Sequence, residues 1–191
     1  MSTLTIGAIA PDFDLESVLG GRRRLADLRG KKVLLSFLRN AECAVCNLWV
    51  ATTHRQAPVW RESGLEVVAV FESSVDKMRA QLAARMPTFE VLADPDGVAH
   101  DLFGSRTDPE RVKAVVASGV AASALRRAAA AGFEPRMEAG ANFFRLPAEI
   151  LIREDGTVAA VHVAEEVTDH FDPEIVTRFA RDVSLAAISR R

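Results

Sequence analysis

Residues 33–46 of this 191-residue chain read Val-Leu-Leu-Ser-Phe-Leu-Arg-Asn-Ala-Glu-Cys-Ala-Val-Cys, an apolar run followed by two cysteines. The uncharged run from Val33 to Leu38 is typical of a strand that is buried on both faces. Cys43 and Cys46 follow where we predict a helix to begin. Unpaired backbone N–H groups at a helix N-terminus favour thiolate over thiol. The segment therefore indicates a pair of sulfur atoms that exchange electrons.

Two other interpretations of the cysteine pair stay open. Buried apolar cysteines are common inside proteins and need have no chemical role. A structural zinc ion needs about four ligands, which usually come as two close pairs. No second pair is evident, because the four histidines are scattered along the chain at His54, His100, His162 and His170. We therefore favour redox chemistry over a metal site.

Composition and charge argue against several classes of protein. The formal net charge is −2 and 49% of the residues are hydrophobic, as in an ordinary globular protein. The basic cluster Arg22–Arg24 lacks the aromatic residues and the wider basic stripe of a nucleic-acid-binding surface. The longest mostly uncharged run, 114–125, is too short to cross a bilayer, and the first residues do not resemble a signal peptide. We expect a cytoplasmic protein with neither nucleic acid nor membrane as partner.

Periodicity predicts strands and helices that alternate and then give way to a hairpin. The order is strand, helix, strand, helix, antiparallel hairpin and helix, which indicates an α/β fold with a mixed central sheet flanked by helices. We expect one domain over residues 1–191. The predicted strands are Val33–Leu38, Leu65–Phe71, Ala148–Ile152 and Thr157–Val163. One helix is predicted from Cys43 to about Glu62, and Pro58 is expected to kink it or end it. The last helix is predicted from Asp172, with an apolar stripe formed by Ile175, Val176, Phe179 and Val183.

An additional helical segment occupies about residues 108–132. Asp108-Pro109-Glu110 resembles a helix start, and an Ala/Val-rich stretch continues toward Gly132. Val112, Val116 and Val120 form a narrow apolar stripe. The segment is interpreted either as a helix that packs on the sheet or as a lid or homodimer contact that shapes access to Cys43. We expect packing, with the dimer contact as the alternative.

Several motifs together resemble the alkyl hydroperoxide reductase and thiol-specific antioxidant family. They are Ala10-Pro11-Asp12-Phe13, the segment Leu25–Lys31, and the buried strand that leads to Cys43. The CxxC motif and the lone Pro147 before the hairpin are similar to the thioredoxin fold in general. The resemblance covers roughly residues 5–104 and 140–185 and is strongest to peroxiredoxin-like members that carry CxxC. It implies a thioredoxin-like fold with the segment at about 108–132 as an insertion.

The resemblance also implies roles for individual residues. Cys43 would be the attacking thiol and Cys46 the resolving thiol. Pro147 matches the proline that is cis in thioredoxin folds, and a cis bond would bring the backbone of Leu146 to a bound substrate. The peroxiredoxin threonine before the cysteine is replaced by Asn40. We include Pro147 and Asn40 among the candidate substrate-binding residues.

Two further features of the family have no direct counterpart in this sequence. Peroxiredoxins use an arginine near the late strand, and we expect Arg39 or Arg145 to take its place. Thioredoxins carry a buried carboxylate in the strand before the motif, and Val33–Leu38 contains none. Glu42 disfavours and Arg39 favours a thiolate at Cys43, so we expect a modest lowering of the Cys43 pKa.

These observations predict a thiol oxidoreductase that reduces peroxides or protein disulfides through Cys43 and Cys46. Its electrons would come from a thioredoxin- or glutathione-like thiol donor, and no bound cofactor or metal is required. The alternatives are a thiol-disulfide reductase without peroxidase activity, and a redox-sensing or zinc-holding binding module.

Overall fold

Seven strands form one mixed sheet in the computed structural model, which describes residues 4–183. Residues 1–3 and 184–191 of the predicted domain lie outside the described residues, as does the side chain of Val120. The strands are β1 (Asp14–Ser17), β2 (Arg22–Arg24), β3 (Lys32–Leu38), β4 (Leu65–Phe71), β5 (Glu90–Ala93), β6 (Ala148–Ile152) and β7 (Val158–Val163), and their order in the sheet is β2-β1-β5-β4-β3-β6-β7.

Helices cover both faces of this sheet, so the predicted mixed sheet flanked by helices is confirmed. Within residues 4–183, none of the helices has the length and apolar character needed to cross a bilayer. The helices are α1 (Ala44–Glu62), α2 (Val75–Leu82), α3 (Val98–Leu102), α4 (Pro109–Ser118), α5 (Val120–Ala130) and α6 (Pro173–Ala180), and a short 3-10 helix spans Leu25–Leu28.

The apolar run Val33–Leu38 forms most of β3 in the interior of the sheet. It is parallel to β4 and antiparallel to β6. Leu34 and Leu38 point to the face that is covered by α1, α2 and α6, whereas Leu35 and Phe37 point to the face that is covered by α3. Burial on both faces explains why this strand lacks a polar alternation.

The strand pairing brings distant parts of the chain together at one edge of the sheet. Leu38 at the end of β3 lies beside Phe71 at the end of β4. Phe37 lies beside Ala148 at the start of β6 because that pairing is antiparallel. The residues after β3 and β4 and the residues before β6 therefore meet at the start of α1, where the cysteines lie.

The Arg22–Arg24 cluster has a structural role at the other end of the sheet. It forms the edge strand β2, which pairs with β1. Its guanidinium groups form ion pairs with the carboxylates of Asp14, Glu90 and Asp12. These pairs offset much of the positive charge of the cluster within the fold.

The helix α1 continues through Pro58, so of the two predicted effects of this proline the end of the helix is excluded and the kink stays a prediction. The buried Ala57 and Trp60 anchor this turn in the core. Two other details of the predicted helices were wrong. The inserted segment is two helices, since Gly119 adopts a left-handed φ of 79° between α4 and α5. Val183 does not extend the apolar stripe of the last helix, because it follows the end of α6 and is 46% exposed.

Candidate active site

Cys43 lies at the N-cap of α1, immediately after the loop that follows β3. Its Sγ accepts a hydrogen bond of 3.2 Å from the backbone N–H of Cys46. The two cysteines form a disulfide, and their Cα atoms are 5.3 Å apart. The exposed fractions are 5% for Cys43 and 2% for Cys46. The prediction that both sulfur atoms lie at the start of a helix is therefore confirmed. The fold also buries both of them almost completely, which the sequence did not indicate.

Arg39 brings a positive charge to Cys43. Its Nη2 lies 3.2 Å from Cys43 Sγ, and its Nη1 donates to the Phe143 carbonyl at 2.9 Å. The guanidinium also lies over the Phe143 ring, 5.2 Å from the ring centroid. Only 8% of Arg39 is exposed, and burial lowers its pKa to about 10. Arg39 therefore keeps its charge at neutral pH.

That charge has no carboxylate counter-ion among residues 4–183, because no ion pair joins Arg39 to an acidic side chain there. A buried and unpaired cation is unfavourable, so a nearby group that becomes an anion is stabilised. The group at hydrogen-bonding distance is the Cys43 sulfur. The arrangement therefore favours a thiolate at Cys43 once the disulfide is reduced.

A buried glutamate that sequence reasoning missed holds the loop before Cys43. The Glu138 carboxylate accepts hydrogen bonds from Ala41 N at 3.1 Å and Ser73 Oγ at 2.7 Å. It also forms an ion pair of 2.9 Å with Lys77. Glu138 lies 97 residues from Ala41 in the chain, so no local motif signals this contact.

The inserted helices form one wall of a cavity over Cys43. The volume of the cavity is about 170 Å³, and Cys43 and Arg39 lie in its lining. Most of the remaining lining is apolar and comes from α4, α5 and the segment 135–143. Val112 is buried, while Val116 at the mouth is 57% exposed. The inserted segment therefore packs on the body of the fold, as expected, but on α1, against which α5 lies with Ala124 and Ala128 buried. It also shapes access to Cys43, while the dimer contact stays a prediction.

Arg145 lies at the same edge of the sheet but is bound to other groups. Its guanidinium donates to both carboxylate oxygens of Glu72 at 2.8 and 3.1 Å, and to Asp101 at 2.6 Å. Burial alone would lower the Arg145 pKa, but these two carboxylates outweigh it and raise the pKa. The structure therefore places Arg39, rather than Arg145, beside the sulfur.

The prediction of a cis bond before Pro147 was wrong, because all peptide bonds of residues 4–183 are trans. The backbone of Leu146 is instead occupied by the chain after α3. Its N–H donates to the Arg106 carbonyl at 2.8 Å, and its carbonyl accepts from Ser105 Oγ at 2.8 Å. This backbone is therefore not available to a substrate strand. Pro147 is buried before β6, and its proposed substrate contact stays a prediction.

Asn40 contributes its backbone to the turn before Cys43. Its carbonyl accepts the Cys43 N–H at 3.1 Å. The side chain is buried, and Oδ1 has no hydrogen-bond partner in the described part of the chain. No hydrogen bond joins this side chain to Cys43 Sγ, so its role in binding substrate also stays a prediction.

The buried carboxylate that β3 lacks is supplied by the neighbouring strand. Glu149 of β6 lies opposite Ser36 of β3 and accepts its hydroxyl hydrogen bond at 2.9 Å. It also forms an ion pair of 3.2 Å with His170, whose ring packs 5.7 Å from that of Trp49. Burial raises the Glu149 pKa, but the charge and hydrogen bonding of His170, with further hydrogen bonds, outweigh it and lower the pKa. The sequence did carry a signal for this buried carboxylate, since Glu149 is the single charged residue in the otherwise apolar run 148–152.

We expect Glu149 to stabilise the fold in a pH-dependent way. Because its pKa is lower in the folded protein, its contribution is fully present above the unfolded pKa of about 4.3 and is lost as the pH falls through the folded value. The difference in the free energy of unfolding between the parent protein and Glu149→Gln, here called the stability gap, should therefore become smaller from pH 6 to pH 3. Urea unfolding at several pH values measures this gap, with the exposed Glu62→Gln as the matched control. A gap that is constant across this range would contradict the prediction.

The structure offers no support for the zinc-holding alternative within the described residues. There, no group of three or more histidine, cysteine, aspartate or glutamate side chains is placed to hold a metal ion. His54 accepts a hydrogen bond from the Thr88 N–H at 3.1 Å. His100 is fully buried between Asp94 at 2.7 Å and the Leu38 carbonyl at 2.9 Å.

The chain belongs to the AhpC/TSA family, whose model matches residues 6–161. The putative peroxiredoxin bcp of Buchnera aphidicola subsp. Schizaphis graminum is 27% identical over 104 residues, which are 54% of this chain and 66% of that protein. The thiol-disulfide oxidoreductase ResA of Geobacillus kaustophilus is 33% identical over 69 residues, which are 36% of this chain and 39% of ResA. The chain thus spans less than two thirds of the length of these curated relatives.

Solved structures show the same fold. The chain matches peroxidoxin BcpB from Mycobacterium tuberculosis with a TM-score of 0.64 and 20% identity, over 97% of this chain and 99% of that one. A yeast mitochondrial 1-Cys peroxiredoxin, described for thiol resolution via glutathione/thioredoxin systems, matches with a TM-score of 0.65 and 14% identity, over 92% of this chain and 74% of that one. The predicted family and thioredoxin-like fold are therefore confirmed. With the paired cysteines, these findings support thiol-dependent redox function.

Proposed function

We propose that this protein is a thiol-dependent peroxidase in which Cys43 attacks the hydroperoxide and Cys46 resolves the product. The observation that carries the proposal is the contact of 3.2 Å between Arg39 Nη2 and Cys43 Sγ. A fixed cation at this position stabilises the attacking thiolate, and it also stabilises the negative charge that develops on the peroxide oxygen. The family and its peroxiredoxin relatives agree with this assignment.

The proposed reaction has three steps. The Cys43 thiolate attacks the terminal peroxide oxygen, the O–O bond breaks, and the alkoxide or hydroxide leaves and takes up a proton. The resulting Cys43 sulfenic acid condenses with the Cys46 thiol to give the disulfide and one water molecule. Two thiols of a donor then reduce the disulfide by exchange and are themselves oxidised to a disulfide.

The donor is proposed to be a thioredoxin- or glutathione-like thiol. The yeast relative, whose thiol is described as resolved via glutathione/thioredoxin systems, supports this choice for this chain. The proposed compartment is the cytoplasm, where a reducing thiol pool would return the Cys43–Cys46 disulfide to two thiols. A homodimer remains part of the proposal, and light scattering on the purified protein tests it.

A thiol-disulfide reductase is the second candidate. Similarity to ResA favours it, as does the CxxC motif. The enclosure of both sulfur atoms favours a small molecule as the oxidising substrate, since a hydroperoxide can enter the cavity over Cys43 without displacing its wall. Any folded protein that reacts at Cys43, whether a disulfide substrate or a thioredoxin-like donor, requires this wall to move.

One experiment separates the two candidates. The reduced protein is mixed with one equivalent of hydrogen peroxide, and in parallel with one equivalent of an oxidised donor protein. Thiol count and mass are then followed over time. A peroxidase should lose two thiols to hydrogen peroxide quickly and form the Cys43–Cys46 disulfide. Fast oxidation by the protein disulfide with slow oxidation by peroxide would instead establish the reductase.

A further inference from the structure

We propose that Glu138 is a positioning residue, which holds the loop before Cys43 and the wall of the cavity over Cys43 together as one unit. The inference rests on the proposed role of Cys43 as the attacking thiol. Glu138 belongs to the segment 135–143 that follows the inserted helices, and it does not line the cavity. It therefore acts on the sulfur through other residues.

Three separate parts of the chain meet at the Glu138 carboxylate. Its Oε2 accepts hydrogen bonds from the N–H of Ala41, after β3, and from Ser73 Oγ, after β4. Ser73 Oγ also accepts from the Ala41 N–H at 2.9 Å, so these three groups form a closed triangle. The Glu138 Oε1 accepts from Lys77 Nζ of α2 at 2.9 Å. Only 4% of the Glu138 side chain is exposed, and hydrogen bonds to an ionised acceptor are the stronger kind.

The first turn of α1 connects Ala41 to Cys43. Asn47 Nδ2 donates to the Ala41 carbonyl at 2.7 Å and to the Cys43 carbonyl at 3.1 Å. The Cys43 N–H donates to the Asn40 carbonyl at 3.1 Å. Ala41 is thus held through its N–H by Glu138 and through its carbonyl by Asn47. The position of the loop that carries the sulfur therefore depends on Glu138.

The same carboxylate fixes the wall on the other side of the sulfur. The two residues immediately before Glu138 line the cavity, and so does Phe143 at the end of the segment. The Phe143 carbonyl accepts from Arg39 Nη1 at 2.9 Å, while Arg39 Nη2 lies 3.2 Å from Cys43 Sγ. A shift of the segment would therefore move the group that orients Arg39.

Removal of the Glu138 carboxylate should have two effects of opposite direction at Cys43. Arg39 would be less well oriented, so a small peroxide should react more slowly, because misplacement of a reacting group by about 1 Å can cost about hundredfold in rate. The wall would also open more often, since local opening is frequent where few contacts hold a segment. A bulky reagent should therefore gain access to Cys43 relative to a small one.

The access to Cys43 is measured on reduced full-length protein that carries Cys46→Ser, which leaves one thiol. The reagents are N-ethylmaleimide and fluorescein-5-maleimide, which share a reactive group and differ in size. Each rate constant is divided by that of the same reagent with free cysteine. Glu138→Ala should raise the bulky-to-small ratio about tenfold, which is the effect expected from loss of a hydrogen bond to a buried charge.

The chemistry is measured on the same variants with the native CxxC pair. Glu138→Ala should slow the oxidation of Cys43 by hydrogen peroxide about tenfold at pH 7. The midpoint of the pH dependence of Cys43 alkylation should shift upward, because the Arg39 charge is held less firmly beside the sulfur. Glu138→Gln keeps a side-chain oxygen for Ala41 and Ser73 but loses the ion pair with Lys77, so its values should lie between those of the parent and of Glu138→Ala.

Two controls separate positioning from a general loss of stability. Glu134→Gln removes an exposed carboxylate four residues earlier and should keep the parental values. Val33→Ala removes buried hydrocarbon from the opposite face of the sheet, so it lowers stability without touching Glu138. It should keep the bulky-to-small ratio and the alkylation midpoint of the parent protein.

The outcomes separate this inference from the proposed function. If Glu138→Gln and Glu138→Ala keep the parental ratio and peroxide rate, or if Val33→Ala changes them equally, the positioning role is refuted and the peroxidase stands. If Glu138→Ala does not fold, parental values in Glu138→Gln alone refute the role. If hydrogen peroxide oxidises the parental Cys43 no faster than free cysteine, the proposed function fails and positioning for that reaction fails with it.

Discussion

Replacing Cys43 by serine is expected to abolish the reaction with hydroperoxides. A serine hydroxyl is not ionised at neutral pH, so Arg39 would have no thiolate to stabilise and no nucleophile would face the cavity. Peroxide consumption by Cys43→Ser in the presence of a thiol donor should fall to the background of the buffer. The same variant should still fold, because serine retains a side-chain oxygen that accepts the N–H of Cys46 at the N-cap of α1.

Cys46→Ser is the matched comparison for that variant. It keeps the proposed nucleophile and loses the proposed resolving thiol, so one equivalent of peroxide should add one oxygen atom to Cys43. The parent protein should instead lose two hydrogen atoms. A sulfenic acid trap such as dimedone should label Cys46→Ser, and excess peroxide should drive it to sulfinic acid. If Cys43→Ser consumed peroxide at the parental rate, the assignment of Cys43 as nucleophile would be wrong.

Replacing Arg39 by methionine is expected to slow the oxidation of Cys43 by hydrogen peroxide about hundredfold at pH 7. Methionine fills much of the same buried space, but it removes the cation that lies 3.2 Å from Cys43 Sγ. The thiolate would then lack its stabilising charge, and the developing oxyanion would lack a donor. The midpoint of the pH dependence of alkylation by iodoacetamide, which reports the Cys43 pKa, should shift upward.

Two controls make this result specific to Arg39. Arg39→Lys keeps the charge but cannot contact Cys43 Sγ and the Phe143 carbonyl at the same time as the forked guanidinium does, so its rate should lie between those of the parent and of Arg39→Met. Arg136→Met removes an exposed arginine that also lines the cavity, and should lower the rate far less. An Arg39→Met protein with the parental alkylation midpoint and peroxide rate would show that the buried charge has no role in the chemistry.

Local patterns in the sequence were sufficient for the elements that carry the site. The uncharged run before the CxxC motif predicted β3, and the position of the motif predicted sulfur at the start of α1. Both features depend on residues close together in the chain, because backbone geometry and burial set the periodicity of a strand or a helix. The same patterns could not show that Gly119 divides the inserted segment, since the conformation of one glycine is not visible in an Ala/Val-rich run.

The identity of the charged partners was decided by the tertiary structure. Arg39 and Arg145 were both candidates for the arginine that peroxiredoxins place at the active site. The fold showed that Arg145 forms ion pairs with Glu72 and Asp101, while Arg39 has no such partner in the described part of the chain. Similarly, the register of β3 and β6 places the Glu149 carboxylate against Ser36, although the two residues lie 113 positions apart in the chain.

The sequence by itself determined a thiol pair at the start of a helix, on a mixed sheet of the thioredoxin type. Only the tertiary structure decided which cation faces the sulfur, how the loop before it is held, and that α4 and α5 enclose it. The reason is physical. A motif fixes neighbouring atoms through the backbone, whereas a side chain's charge state and access to solvent depend on what strand pairing and helix packing bring against it.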